Sequence, residues 1–123
     1  MTGDGVTLVR RGAIVLVDLD PVSGSEASKT RPAVVVSNNT ANAAAVRTRR
    51  GVITVVPITS STARVFPFHV LLDADATGLS HDSKAQAEQV RAVSIGRILR
   101  IVGWVPAEAM TQVDAALRLH LAL

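Results

Sequence analysis

The sequence predicts a mainly β domain of the α+β class: a small, strongly curved barrel of about five or six short strands followed by one C-terminal amphipathic helix. Three observations lead there. Short apolar runs alternate with clusters of Gly, Pro, Ser and Thr, which supply turn chemistry. The runs are rich in Val and Ile, as strands are. Only the last segment carries its apolar residues at helical spacing.

The elements follow in order. Ala13 to Asp20 alternates partly and reads as a strand. The loop from Pro21 to Thr30 is rich in Ser and Gly. Arg31 to Asn38 is a second strand, β-branched enough to be buried on both faces, with Pro32 confined to its beginning because it has no N–H for a ladder. Asn39 to Arg50 reads as a polar, alanine-rich connection. Gly51 to Ile58 is a third strand with Pro57 near its end, and Thr59 to Val65 is a loop. Phe68 to Leu72 is a fourth strand, and Asp73 to Asp82 is turn-rich. Lys84 to Val93 suits helix or strand, and its neighbours favour strand. Ser94 to Arg97 is a turn, and Ile98 to Val105 is the last strand. Met110, Val113, Leu117 and Leu121 then fall on one helical face over Pro106 to Leu119, with Pro106 and Glu108 suited to the first turn. That helix is expected to cap an open end of the barrel.

The chain of 123 residues fits one domain over 1–123, since a typical domain runs to roughly 100–200 residues. Hydrophobic residues make up 48% and charged residues 19%, a globular balance rather than a disordered one. The longest apolar stretches, Ala33 to Val36 and Val52 to Ile58, fall far short of the ~20 residues a membrane span needs, so no membrane association is expected. No secretory signal is visible at the N-terminus. Cysteine is absent, which excludes disulfides, thiolate metal sites and a cysteine nucleophile and fits a reducing, cytoplasmic setting. The net charge of +3 sets 13 basic residues against 10 acidic ones; the basic residues are nearly all Arg, whose planar fork suits phosphates and base edges.

Motifs for nucleotide binding are missing: there is no G-x-x-x-x-G-K-S/T loop and no G-x-G-x-x-G run. His69, His81 and His120 stand far apart, so neither a metal site nor a two-histidine ribonuclease is indicated, and no metal or cofactor is expected. His120 reads as a surface residue and His69 as structural; His81, following Ser80 in a loop, suits chemistry best. The junction from Gly24 to Pro32 sets Glu26, Lys29 and Arg31 where a loop enters a stiff strand. Arg31 there either clamps a phosphate or pairs with Glu26 or Asp18. Thr59, Ser60 and Ser61 follow a buried strand, where their hydroxyls either donate to an anion or cap a turn.

Taken together, Arg11 to Pro21, Gly24-Ser25-Glu26, Arg31 to Ser37, Val56-Pro57-Ile58-Thr59, Glu88 to Arg91 and the helix from Met110 to Leu117 resemble the MazF/PemK family of toxins, over about Arg10 to Leu121. The resemblance implies a small SH3-like, CcdB/PemK-type barrel that forms a homodimer. It implies metal-independent cleavage of single-stranded RNA at short sequences, leaving a 2′,3′-cyclic phosphate and a 5′-hydroxyl, and so arrest of translation and growth. It implies inhibition by a cognate MazE-like antitoxin whose disordered tail crosses the dimer. The family's catalytic Arg falls on Arg31 and its catalytic Thr on Thr59. Its loop Glu falls on Glu26, and its late Q-x-R on Gln89 and Arg91. Two positions depart from the family pattern: Ala13 stands where an acidic residue usually follows the first Gly, and Ala27 follows Glu26 in place of Gln.

The chemistry of the residues agrees. RNA supplies its own nucleophile, the 2′-hydroxyl, and a rigid Arg with a hydroxyl donor stabilises the charge that develops on the phosphate oxygens. DNA lacks that nucleophile. A guanidinium and an alcohol are both poor bases, which leaves His81 or solvent to move protons. With Phe66, Phe68 and Trp104 as its aromatic residues, the chain lacks a broad stacking platform. Base readout then falls to Asn38, Asn39, Ser60, Ser61 or Gln89, while Arg49 and Arg50, within the Arg47 to Arg50 cluster, are a backbone tether or a solvated loop end. The alternatives from other classes are a CcdB-like toxin that binds and poisons DNA gyrase without catalysis, and a small RNA- or protein-binding barrel.

Overall fold

The computed structural model describes residues 9–19 and 30–123. The expected loop with Glu26 and Lys29 lies outside those residues. Strands β1 (Ala13–Asp18), β2 (Thr30–Val35) and β3 (Val52–Thr59) form an antiparallel centre. Around it lie β4 (His69–Leu72), β5 (Ser83–Gln86), β6 (Arg91–Ser94) and β7 (Ile98–Trp104). The seven-stranded sheet runs β4-β5-β3-β2-β1-β7, with β6 also beside β3. β4 and β7 end this path, so among the described residues the sheet stays open and does not close into the expected barrel.

Alternation builds two cores from one sheet. Ala13, Val15, Val17, Ala33, Val35, Ile53 and Val55 face one side, and Ile14, Val34, Val56 and Ile58 the other. A strand with both faces packed needs a continuous apolar run, which explains the sequence of β2 and β3. The first side is covered partly by helix α1 (Asn39–Thr48), through Ala45 and Val46. The second is covered by helix α3 (Ala107–Leu121), through Val113, Ala116, Met110 and Leu117. α3 therefore lies over a sheet face rather than at a barrel end.

α1 replaces the expected connection. Its start is capped by Asn38, whose side chain accepts from the Ala41 N–H at 2.8 Å. Asn42, fully buried, is satisfied by Ser37: it accepts from the Ser37 hydroxyl and donates from Nδ2 to the Ser37 carbonyl at 2.9 Å. Arg49 closes the helix in the left-handed conformation, with φ 57°. Arg11 ties α1, α3 and the residue that follows β2 together. Its backbone N–H donates to Asn39 Oδ1, its Nε to the Val36 carbonyl, and its Nη2 to Asp114 of α3 at 2.6 Å.

The stretch expected as one strand over Lys84 to Val93 is two, broken by a 3₁₀ turn at Ala87–Gln89. β3 carries the consequence. It pairs with β6 through Val52 to Val55 and with β5 through Ile58 and Thr59. Pro57, which has no N–H to donate, falls in the gap between the two partners. A short helix, α2 (Ala74–Thr77), ends at Gly78 with φ 90°. It sits so close to β7 that a Cβ on Gly103 would lie 2.0 Å from the Thr77 carbonyl oxygen. Among the described residues no helix is long and apolar enough to cross a membrane.

Candidate active site

Arg31 opens β2 and Thr59 closes β3. The antiparallel pairs Val35 with Val55 and Ala33 with Pro57 bring the start of β2, with Arg31, alongside the end of β3, with Thr59. Both line one cleft of about 250 Å³, together with Ser60, Ser80, His81 and Ser83. Pro32, Ile58 and Leu79 supply its apolar part. Arg31 is exposed, while Thr59 is half-buried and its Oγ1 accepts from the Ser61 N–H at 3.2 Å.

The His81 side of the cleft is a pinned turn. The Ser83 hydroxyl donates to the His81 carbonyl at 2.8 Å, and Asp82 Oδ1 accepts from the Ala74 N–H at 2.8 Å. Leu79 N–H donates to Thr77 Oγ1 at 3.3 Å. Ser80 Oγ lies 3.2 Å from His81 Nδ1. The other side is held by Lys84, a residue outside the sequence-based candidates. It is only 7% exposed, and its Nζ donates to the Arg64 carbonyl, so β5 grips the loop that leaves β3. An isolated Lys between Ser83 and Ala85 gives no sign of such a role; the register Thr59 with Lys84 does.

The remaining site candidates lie elsewhere on the chain. Gln89 sits in the 3₁₀ turn, and Arg91 is exposed opposite Val55, four positions from Thr59, or ~13 Å at the rise of a strand. Arg49 and Arg50 lie beyond the opposite end of β3, ~30 Å from Thr59 on the same scale. Asn38 and Asn39 are engaged at the start of α1 and with Arg11. Ser61 adjoins the cleft through its bond to Thr59. His120 is exposed. His69 is structural: its Nδ1 accepts from the Phe66 N–H at 3.0 Å, which leaves Nε2 to donate to Glu88 at 3.1 Å. Among the described residues no group of three or more His, Asp or Glu side chains is placed to hold a metal ion.

A guanidinium and several hydroxyls around a shallow cleft can donate to the oxygens of a phosphate, and an imidazole beside them can carry a proton. A crystal structure of MazE–MazF (Form-I) from Deinococcus radiodurans superposes on the chain with a TM-score of 0.69 at 25% identity, covering 94% of this chain and 97% of that one. Residues 10–121 match the family of PemK-like, MazF-like toxins of type II toxin–antitoxin systems. The chain is 60% identical over 116 residues to the endoribonuclease MazF9 of Mycobacterium tuberculosis, across 94% of this chain and 98% of that protein. It is 32% identical over 116 residues to the endoribonuclease EndoA of Bacillus subtilis, across 94% and 97% of the two. The chain belongs to the PemK/MazF family of toxins.

Proposed function

We propose that this toxin is a sequence-specific, metal-independent endoribonuclease that cuts single-stranded RNA by attack of the 2′-hydroxyl, leaving 2′,3′-cyclic phosphate and 5′-hydroxyl ends. The observation that carries this reading is the meeting of Arg31 and Thr59 on one cleft. In-line attack drives negative charge onto the non-bridging oxygens. Arg31, held by a strand packed on both faces, stabilises that charge, and the Thr59 hydroxyl donates to one oxygen. Ser60 and Ser61 bind at the rim beside Thr59. Glu26 and Lys29 precede Arg31 in the chain and contribute to substrate binding there. Gln89 and Arg91 contact nucleotides away from the scissile bond, and Arg49 and Arg50 tether the backbone further along the strand.

Cleavage of messenger or other RNA arrests translation and growth in the cytoplasm. The toxin works as a homodimer, and a MazE-like antitoxin restrains it; the Deinococcus MazE–MazF pairing is the precedent. A gyrase-binding role without catalysis lacks comparable support, because the full-length relatives above are endoribonucleases.

The test is incubation of purified protein with a long single-stranded RNA in excess EDTA, followed by mapping of the ends. Discrete cuts with 5′-hydroxyl termini are expected, with the matching DNA left intact. Arg31→Ala and Thr59→Ala should each lower the rate by about 10²–10³ while the far-UV spectrum stays native. Intact RNA together with inhibited gyrase would overturn the ribonuclease reading, and a variant that cuts at the parental rate would remove that residue's role.

A further inference from the structure

We propose that His81 is the general base of the reaction, with Ser80 as its positioning residue. This rests on the ribonuclease reading and deepens it. Arg31 and Thr59 leave proton transfer unassigned: a guanidinium stays protonated throughout the physiological range, and an aliphatic alcohol is a weak base. An imidazole exchanges a proton near neutrality. Among the described residues lining the cleft, His81 is the one side chain of that kind.

The turn is built to present it. The Ser83 hydroxyl holds the His81 carbonyl, and Asp82 is anchored to Ala74. Ser80 Oγ stands 3.2 Å from Nδ1. When Nδ1–H donates to that oxygen, the neutral ring keeps its lone pair on Nε2, the atom left for substrate. The charged neighbours are Arg31, which shares the cleft from β2, and Asp82, which follows in the chain with its carboxylate turned to the Ala74 N–H.

In the step, the 2′ O–H bond breaks, its proton passes to Nε2, and the oxygen bonds to phosphorus. The P–O5′ bond breaks with its electron pair on the 5′ oxygen, which takes a proton from water. The imidazolium then returns its proton to the hydroxide so formed. Nothing is oxidised or reduced.

The experiment measures kcat and KM for an RNA oligonucleotide in EDTA between about pH 5 and 9 for the parent, His81→Ala and Ser80→Ala. The base form of the imidazole is the active one, so the parent's kcat rises with pH along an acidic limb. His81→Ala should lose that limb and about 10²–10⁴-fold in kcat at pH 7, with KM little changed, and added imidazole should restore part of the rate. Ser80→Ala should keep the limb and lose up to about tenfold in kcat. His81 is exposed, so an unchanged melting temperature serves as the folding control. If the parent cuts and His81→Ala keeps both rate and limb, the His81 role is overturned alone. If the parent cuts no RNA, the ribonuclease reading falls and takes this role with it.

Discussion

Thr59 stands directly across the β3–β5 ladder from Lys84, and the Lys84 ammonium reaches back to the Arg64 carbonyl. The strand that ends in the cleft and the loop that continues from it are therefore tied to one side chain. Lys84→Met keeps the length and removes the tie. Burying an ammonium costs free energy that one carbonyl bond only partly offsets, so stability should stay within about 1 kcal/mol of the parent. The loop over 60–68 should become more sensitive to protease, and RNA cleavage should fall through a higher KM. Melting curves, limited proteolysis and kinetics check the three together; a large loss of stability with an unmoved KM would contradict the assignment.

Gly103→Ala tests the seat of α2. The added methyl would collide with the Thr77 carbonyl at 2.0 Å, and that oxygen belongs to backbone, which cannot swing aside. A destabilisation of about 1–3 kcal/mol is expected, seen as a lower denaturant midpoint. The turn that presents His81 hangs from the same helix, so cleavage should fall even at temperatures where the variant is fully folded.

Arg49 separates a structural role from an electrostatic one. It occupies a left-handed helix cap that glycine fills without strain. Arg49→Gly should therefore raise stability by up to about 1 kcal/mol. With Arg50→Gln added, RNA affinity should weaken alike for all sequences. The salt slope should flatten by up to about 1.4, since each single-strand phosphate contact contributes ~0.7. An unchanged slope would leave these two arginines without contact to RNA.

Arg11→Ala should cost about 1–2 kcal/mol, because the half-buried guanidinium bridges the Val36 carbonyl and Asp114. Asp114→Asn should cost less, since it keeps an acceptor for Arg11. Equal losses in the two variants would mean that the ion pair, not the bond to the Val36 carbonyl, carries the effect.

Much of this arrangement was legible in the residues. The Val-rich runs mark β1, β2 and β3 because both sheet faces are packed there, the apolar run from Ile98 marks β7, and the spacing of Met110, Val113 and Leu117 marks α3. α1 is hard to see in the sequence, because its inward face is short and polar: Ala45 and Val46 supply the apolar contact, and Asn42 is buried through hydrogen bonds that no hydropathy pattern reveals. Asn38, a cap residue ahead of an alanine-rich run, was the available sign. The break between β5 and β6 carries no Gly or Pro to announce it. In the cleft, Arg31 and Thr59 could be placed at strand ends, whereas the meeting of Ser80 and His81 with them depends on how β4, α2 and β5 fold back. No local pattern encodes that. Closure is not legible, since short strands in a row do not say whether the outermost two will find each other.

Arg31 and Thr59 are carried by strands that can hardly shift without disturbing two cores at once, while the rest of the rim rides on turns fastened by a handful of polar contacts. On the ribonuclease reading proposed above, a change in those turns would alter which nucleotides are accepted while Arg31 and Thr59 keep their places.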